Sequence, residues 1–406
     1  MFRYRLLIII FSPILFGHIA WLSIKNKSSR YLRQRLGFNY ADLPANSLWF
    51  HCASVGEVNT LLPLVTNIHK VNPDLKIIIS TNTITGGKIV KQQNLHYLYH
   101  SYLPFDWTLN IKRFISAVKP LSLQVMETEI WPNLFTACNR SSIPINIINA
   151  RLSSKTTSAK PWIKAILKIS LSKVNAIYSR TESDADAYFL LGADKNKINT
   201  VGNLKLTTAL TSNNIDTNNI FSTDREYVLI ASTHKNEENE IYDIWKSLNR
   251  DELLIIAPRH PERATSIVKQ LNCDDIAIRS KNQAITSQTK IYLLDTVGEL
   301  KNYFSNAKLV VMGGSFEPVG GHNILEPASF NKAIITGPHM ENFSEELNLM
   351  LDNNAISQIE SYADLHDELI RLLNNKSDRE KLQENTAALT HNVEKILNDY
   401  TRLILQ

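Results

Sequence analysis

Runs of adjacent apolar residues alternate along the chain with stretches whose apolar positions recur every three or four residues. SLWFH, LKIIIST, HYLYHSYLP, LSLQVME, IPINIINA and VNAIYSRT are of the first kind, and EYVLIAST, ELLIIAP, KIYLLD, AKLVVMGG and KAIITGP follow in the second half. Such runs predict strands buried on both faces, and the amphipathic stretches predict helices that cover them. After SLWF, for example, VNTLLPLVTNIHKV puts Val58, Leu61, Leu62 and Val65 on one side of a helix. The expected fold class is α/β with parallel sheets. A polar tract from Thr211 to Asp224, TSNNIDTNNIFSTD, breaks the alternation, so two α/β halves joined between Val201 and Asp224 are expected. The last thirty residues predict an amphipathic helix.

The amino terminus has a third pattern. Leu6–Ile24 contains no Asp, Glu, Lys or Arg and approaches the ~20 residues needed to cross a bilayer. Arg3 and Arg5 precede it, and Lys25, Lys27, Arg30, Arg33 and Arg35 follow. The heavier positive flank predicts a body on the cytoplasmic side, and no small-x-small cleavage site follows the apolar run. Residues 1–35 are therefore expected to be a membrane anchor with a basic flank. Pro13, Gly17 and His18 fit a kinked or shallow anchor as well as a spanning one.

Composition adds limits. The chain has 406 residues, 44% hydrophobic and 20% charged, which suits two folded domains. A net charge of +5 suits an anionic membrane or substrate, and without a basic-aromatic stripe it argues against nucleic acid. Three dispersed cysteines, Cys52, Cys138 and Cys273, fit neither a disulfide framework nor a metal cluster. GxxxxGK[ST], HExxH, CxxC and GxSxG are all absent, and Asp184-x-Asp186 falls in a predicted helix.

In parallel sheets, ligands gather beyond the carboxyl ends of strands. Those ends here are HCASVGE, STNTITGG, METEIWPN, NARLS, ASTHKNEE, APRHPER, DTVGEL and GGSFEPVGGHNILEP. Glu57 falls in the first turn of a helix, where unpaired N–H groups stabilise a carboxylate. Glu127 and Glu129 would face opposite ways if their strand persists. In the second half, Gly313, Gly314, Gly320 and Gly321 would admit a ligand to the backbone. Asn323 would cap a helix starting near Ile324, whose N–H groups suit a phosphate. Glu326 can accept ribose hydroxyls, and Arg259 offers a donor fork.

These residues resemble the 3-deoxy-D-manno-octulosonic acid (Kdo) transferases. SVGE, TITG, YLPFD, METEIWPN, NARLS, GNLK, APRHPER, the GEL of TVGEL, GGSFEPVGGHNILEPA and GPHMENF occur in the family's order from about His51 to Phe343. The resemblance implies a GT-B glycosyltransferase with two Rossmann-like domains and a cleft between them. The acceptor domain would span 36–210 and the nucleotide-sugar domain 211–406. The donor would be CMP-Kdo and the acceptor the tetra-acylated lipid A precursor (lipid IV-A) of lipopolysaccharide core biosynthesis, at the bacterial inner membrane. The family inverts the anomeric centre and needs no metal or other cofactor. Carried over by motif, Glu57 would be the catalytic base, with Glu127 and Lys205 stabilising the transition state. CMP would contact Pro258, Arg259, Val297, Gly298, Glu299, Asn323, Ile324, Leu325 and Glu326. Ile84 stands where proline is frequent, and Phe316 and Glu317 where smaller or apolar residues are usual, which touches donor affinity first. A helix N-terminus lowers a carboxylate's pKa, so Glu57 would need burial or a nearby acid to serve as a base. Two other readings compete: a GT-B transferase using another nucleotide sugar on a membrane lipid, and a membrane-tethered scaffold. Glu57, Glu127, Lys205, Arg259 and Glu326 occurring together weigh against the scaffold.

Overall fold

A computed structural model describes residues 2–207 and 220–406. The chain divides into two compact units, Met1–Thr208 with Ile396–Gln406, and Ala209–Lys395. The expected boundary at 210/211 lies outside the described residues.

The first unit is built on a parallel sheet of β1 (Leu48–Cys52), β2 (Ile77–Thr81), β3 (Leu98–Tyr102), β4 (Ser122–Met126), β5 (Ile145–Ala150), β6 (Ala176–Ser179) and β7 (Ile198–Thr200). Their order is β3-β2-β1-β4-β5-β6-β7, so the winding reverses between β1 and β4. Side chains alternate between two cores, as the pleat requires. Trp49, Ile78, Leu123, Val125 and Ile147 pack on one face with Phe114 and Phe135. Phe50, Ile77, Ile79, Met126 and Ile148 pack on the other with Leu61, Val65 and Ile68.

That second core is completed from far along the chain. The last helix, Lys376–Leu405, begins in the second unit, yet its final residues belong to the first. The second domain read from the sequence ran unbroken to 406; the structure instead returns Ile396–Gln406 to the first unit, because Leu397, Tyr400 and Ile404 fill its core. The buried Tyr400 hydroxyl accepts from the Asn149 N–H (3.2 Å) and lies 3.0 Å from the Gly202 carbonyl and 3.3 Å from that of Tyr178. Gly202 has φ +123°, a conformation strained for any other residue, and a Cβ there would fall 2.6 Å from Ile396 Cδ1, so the Ile396 side chain would have to move.

The second unit repeats the scheme with β8 (Tyr227–Thr233), β9 (Leu253–Pro258), β10 (Ile276–Ile278), β11 (Ile291–Leu293), β12 (Leu309–Met312), β13 (Ile334–Thr336) and β14 (Ser357–Gln358). The order is β10-β11-β9-β8-β12-β13-β14, all parallel. Here the winding reverses between β8 and β12.

The N-terminal helix, Phe2–Lys25, is long and apolar enough to cross a membrane. Ile9, Ile10, Phe11, Ile14 and Ile24 are exposed. It is nonetheless tied to the first unit at two points. Tyr4 donates to Asp106 Oδ2 (2.7 Å) and Arg5 Nε to Asn133 Oδ1 (3.2 Å). Ile19 packs with Tyr31 and Tyr102 at the end of β3. A rise of about 1.5 Å per residue separates these points by roughly 22 Å, so the helix lies along the carboxyl-end rim of the sheet. Of the basic flank, Arg30 bonds the His100 carbonyl (3.0 Å) and Asp42 (2.7 Å), and Arg35 donates to the Leu103 carbonyl (2.7 Å).

Tyr400→Phe removes one hydroxyl and strands the buried Asn149 N–H. It is expected to lower stability by about 1–3 kcal/mol in denaturant unfolding.

Candidate active site

At the end of β1 the chain turns through Ala53 and Ser54 into the helix Val55–Val71. Ser54 Oγ accepts from the Glu57 N–H (3.3 Å) and donates to Glu57 Oε1 (2.9 Å), while the Ala53 N–H donates to Oε2 (2.8 Å). The helix start thus closes on its own glutamate, a form of capping box. Burial pushes the half-buried Glu57 carboxyl up to about 7; the Ala53 and Ser54 bonds oppose it, and the charges of Glu127 and Glu129 add to it. Burial therefore outweighs the helix terminus.

The two acids after β4 are not an alternating pair. The strand stops at Met126, and Glu127 turns left-handed with φ +52°. Its N–H donates to the Ile148 carbonyl (3.0 Å), and its carbonyl accepts from buried Tyr188 (2.8 Å). Two residues on, Glu129 Oε2 accepts from Trp131 Nε1 (3.0 Å) and Asn82 Nδ2 (3.2 Å), with His51 Nε2 3.6 Å away. Burial raises the Glu129 carboxyl, but His51, Trp131 and Asn82 together bring it below the ordinary value. Ser80 fixes the His51 ring through Nδ1 (3.0 Å), and Arg35 Nη1 reaches Asn82 Oδ1 (3.1 Å). His51, Asn82 and Trp131 stand inside the strand-end sequences, the signal that marks them, but no motif assigns them a role. Lys205 begins a helical segment held from behind: the Leu204 N–H donates to Asn149 Oδ1 (2.9 Å) and the Lys205 N–H to Asn203 Oδ1 (3.0 Å).

In the second unit two adjacent buried acids brace the strand ends. Glu237 accepts from the N–H groups of His234 (2.7 Å), Gly314 (2.7 Å) and Phe316 (3.0 Å), joining the loop after β8 to the loop after β12. Gly313 makes this approach possible, since a Cβ there would lie 2.6 Å from Thr233 Cα. Glu238 pairs with Arg263 through two 2.9 Å bonds and accepts from Thr233 Oγ1 (2.8 Å). His234 and His322 stack, with Nε2 atoms 2.9 Å apart. Burial, then the nearby His234, Arg259 and His260 charges, depress the His322 pKa to about 4, so its ring is neutral at pH 7.

The residues expected to meet a nucleotide fall into two groups. Pro258 ends β9, and Arg259 follows it, exposed, with its N–H on the Thr233 carbonyl (3.0 Å). Burial raises the Glu326 carboxyl, and the charges of Lys301 and Arg259 oppose that, so Arg259 and Glu326 are electrostatic neighbours. Asn323 Oδ1 does accept from the Leu325 N–H (3.1 Å). The helix beyond it, however, is one turn, Leu325–Ala328, which shortens the dipole expected to face a phosphate. Val297, Gly298 and Glu299 line a cavity of about 500 Å3 with Arg279, Tyr292 and Tyr303. Glu299 is held in place: Arg279 makes two 2.9 Å bonds to it and Thr296 one of 2.6 Å. Phe316 is buried against Tyr362. Thr181 caps the helix of Asp184, its Oγ1 accepting from the Asp184 N–H (3.1 Å) and donating to Asp184 Oδ2 (3.0 Å), and Asp184 pairs with Arg180 (3.2 Å); among the described residues none cluster as metal ligands.

Residues 30–208 match the family model described as 3-Deoxy-D-manno-octulosonic-acid transferase (kdotransferase). A 3-deoxy-D-manno-octulosonic acid transferase of Haemophilus influenzae is 35% identical over 94% of this chain and 92% of its own. A probable mitochondrial 3-deoxy-D-manno-octulosonic acid transferase of Arabidopsis thaliana is 31% identical over 97% and 94%. In fold, the chain is similar to UDP-GlcNAc 2-epimerase from Neisseria meningitidis bound to UDP-GlcNAc, with a TM-score of 0.51 and 12% identity over 86% of this chain and 100% of the other.

Arg263→Ala leaves the carboxylate of Glu238, only 1% exposed, buried without its partner. A loss of about 3–5 kcal/mol is expected, read by thermal unfolding, with part recovered in Glu238→Ala/Arg263→Ala.

Proposed function

The chain belongs to the Kdo transferases, the glycosyltransferases that transfer Kdo in lipopolysaccharide biosynthesis, and on that premise we propose that it moves Kdo from CMP-Kdo to the tetra-acylated, bisphosphorylated lipid A precursor with inversion. The observation that carries the chemistry is Glu57, whose carboxyl is pushed up to about 7 at the mouth of a helix. A base of that strength is half ionised near neutral pH and takes a proton effectively. An acceptor hydroxyl oxygen bonds to the Kdo anomeric carbon, and the bond from that carbon to the CMP phosphate oxygen breaks. The electron pair leaves with CMP, and the hydroxyl proton passes to Glu57. Glu127 and Lys205 stabilise the charge that develops. CMP is held in the second unit by Pro258, Arg259, Val297, Gly298, Glu299, Asn323, Ile324, Leu325 and Glu326. No metal or other cofactor takes part. Arg259 and Glu326 support this reading as neighbours able to meet phosphate and ribose.

The same reading gives residues 1–35 as the anchor, 36–210 as the acceptor domain and 211–406, apart from the returning end of the last helix, as the donor domain. It places the protein at the inner membrane with its body in the cytoplasm. Lys25, Lys27 and Arg33 support that side, since Arg30 and Arg35 of the basic flank are spent on contacts within the unit.

Mass spectrometry of the lipid after incubation with CMP-Kdo is expected to show a gain of Kdo, lost in Glu57→Ala. An unchanged lipid with folded protein would overturn the assignment, and turnover with another nucleotide sugar would name the alternative donor. Ionised Glu57 is the active form, so kcat/KM is expected to fall tenfold per pH unit below about 7. An acid limb near 4.5, the ordinary glutamate value, would remove Glu57 from the role of a tuned base.

A further inference from the structure

Between Glu129 and Glu182 the chain has eight basic residues and no acidic one. This segment alone carries +8, against +5 for all 406 residues. Its centre is the helix Pro161–Leu171, PWIKAILKISL. Ile166, Ser170 and Leu171 are buried against the unit. The outer side has two rows. Lys160, Lys164 and Lys168, four residues apart, form one, and all three are exposed. Trp162 and Ile169, 37% and 43% exposed, form the other. A surface helix that shows solvent a basic row beside a tryptophan and an isoleucine has the pattern of one lying in a membrane interface.

Its neighbours point the same way. Pro161–Leu171 packs on the helix Pro132–Arg140. The first turn of that helix is where Tyr4 and Arg5 attach, through Asp106 and Asn133. The apolar N-terminal helix and the basic helix thus adjoin the same element of one unit. The N-terminal helix lies along the unit and leaves Ile9, Ile10 and Ile14 outward.

We propose that Pro161–Leu171 is a second membrane contact, docking on a bilayer that contains anionic lipid. The lysine row meets headgroup phosphates while Trp162 and Ile169 enter the interface, so the first unit rests on the membrane by two helices. The proposal rests on reading Phe2–Lys25 as the anchor. Anionic lipid, rather than the phosphates of a soluble partner, is the occupant because a basic row flanked by exposed apolar side chains suits a surface that is charged outside and oily beneath.

The test uses the full chain in vesicles of pure phosphatidylcholine or of phosphatidylcholine with phosphatidylglycerol. Ala165, exposed beside the two rows, is replaced as Ala165→Cys in a Cys273→Ser background and labelled with an environment-sensitive fluorophore; Cys52 and Cys138 are buried. The label is expected to shift to the blue on mixed vesicles only, and the shift to vanish near 1 M salt, where the screening length is about 3 Å. Each lysine changed to glutamine is expected to weaken docking about fivefold. Lys160→Glu/Lys164→Glu/Lys168→Glu is expected to lose the shift while keeping Kdo transfer to acceptor in detergent. A label equally wet on both vesicles overturns the proposal. A blue shift indifferent to lipid charge overturns it, as does one that appears only when bisphosphorylated acceptor is added, which would make the row a substrate subsite. Flotation of the protein with pure phosphatidylcholine reads the anchor separately, so failure of the anchor and failure of this helix are told apart.

Discussion

A carboxylate at the end of a buried strand must be met by hydrogen-bond donors, because leaving it unpaired away from water costs several kcal/mol. Much of the rim of both units follows from how that demand is met. Asp106 takes the N–H groups of Asn133 and Leu134 and the hydroxyl of Tyr4, and so seats one helix and fastens another. Glu237 takes three N–H groups from two loops. Glu57 takes one N–H and the serine hydroxyl of its own turn. Hydrogen bonds do not always win: burial still holds Asp106 up to about 6 and Glu57 to about 7. Glu129 is the contrast. Asn82, Trp131 and His51 converge on it, and it stays an anion. The first unit therefore pairs a fixed charge with an adjustable one, and the fixed charge helps to keep its neighbour basic.

Most of the framework was legible because parallel strands buried on both faces must be written as apolar runs. Eleven such runs became strands; β7, β10 and β14, spelled INT, IAI and SQ, are short edges too brief to leave a pattern. Long-range choices were hidden. Tyr400 contacts Asn149 across 251 residues, and no local periodicity reports such a partner. Charge was ambiguous in the same way. Arg30 and Arg35 read as part of a headgroup-facing flank, yet they turn inward, since a guanidinium can bridge backbone carbonyls as readily as lipid phosphates.

At the candidate site, position was legible and tuning was not. The spacing Ser54-x-x-Glu57 announces a helix start, and the structure shows that start closed on itself. Whether such a glutamate is strongly acidic or nearly neutral depends on burial and on the distant acids Glu127 and Glu129, which spacing does not encode. The expected alternation of Glu127 and Glu129 assumed that β4 continued, but the left-handed turn at Glu127 ends it. The helix after Asn323 is a single turn, and a cap signal reports where a helix starts without reporting how long it runs. Neither motif nor spacing distinguishes a buried pair such as Arg263 and Glu238 from a surface one.

The last helix has a consequence for the order in which the protein can be made. Leu397, Tyr400 and Ile404 complete a core whose other walls are strands β1, β2, β4, β5 and β6. A ribosome moving from the amino terminus releases those strands long before it reaches Leu397. The first unit must wait, one wall of its core open, while the whole second unit is synthesised. Domains commonly fold in the order of their synthesis; here the unit begun first is the one finished last. Throughout that interval the N-terminal helix, long and apolar enough to cross a membrane, is already made, so the apolar end of the chain is exposed before the core behind it is closed.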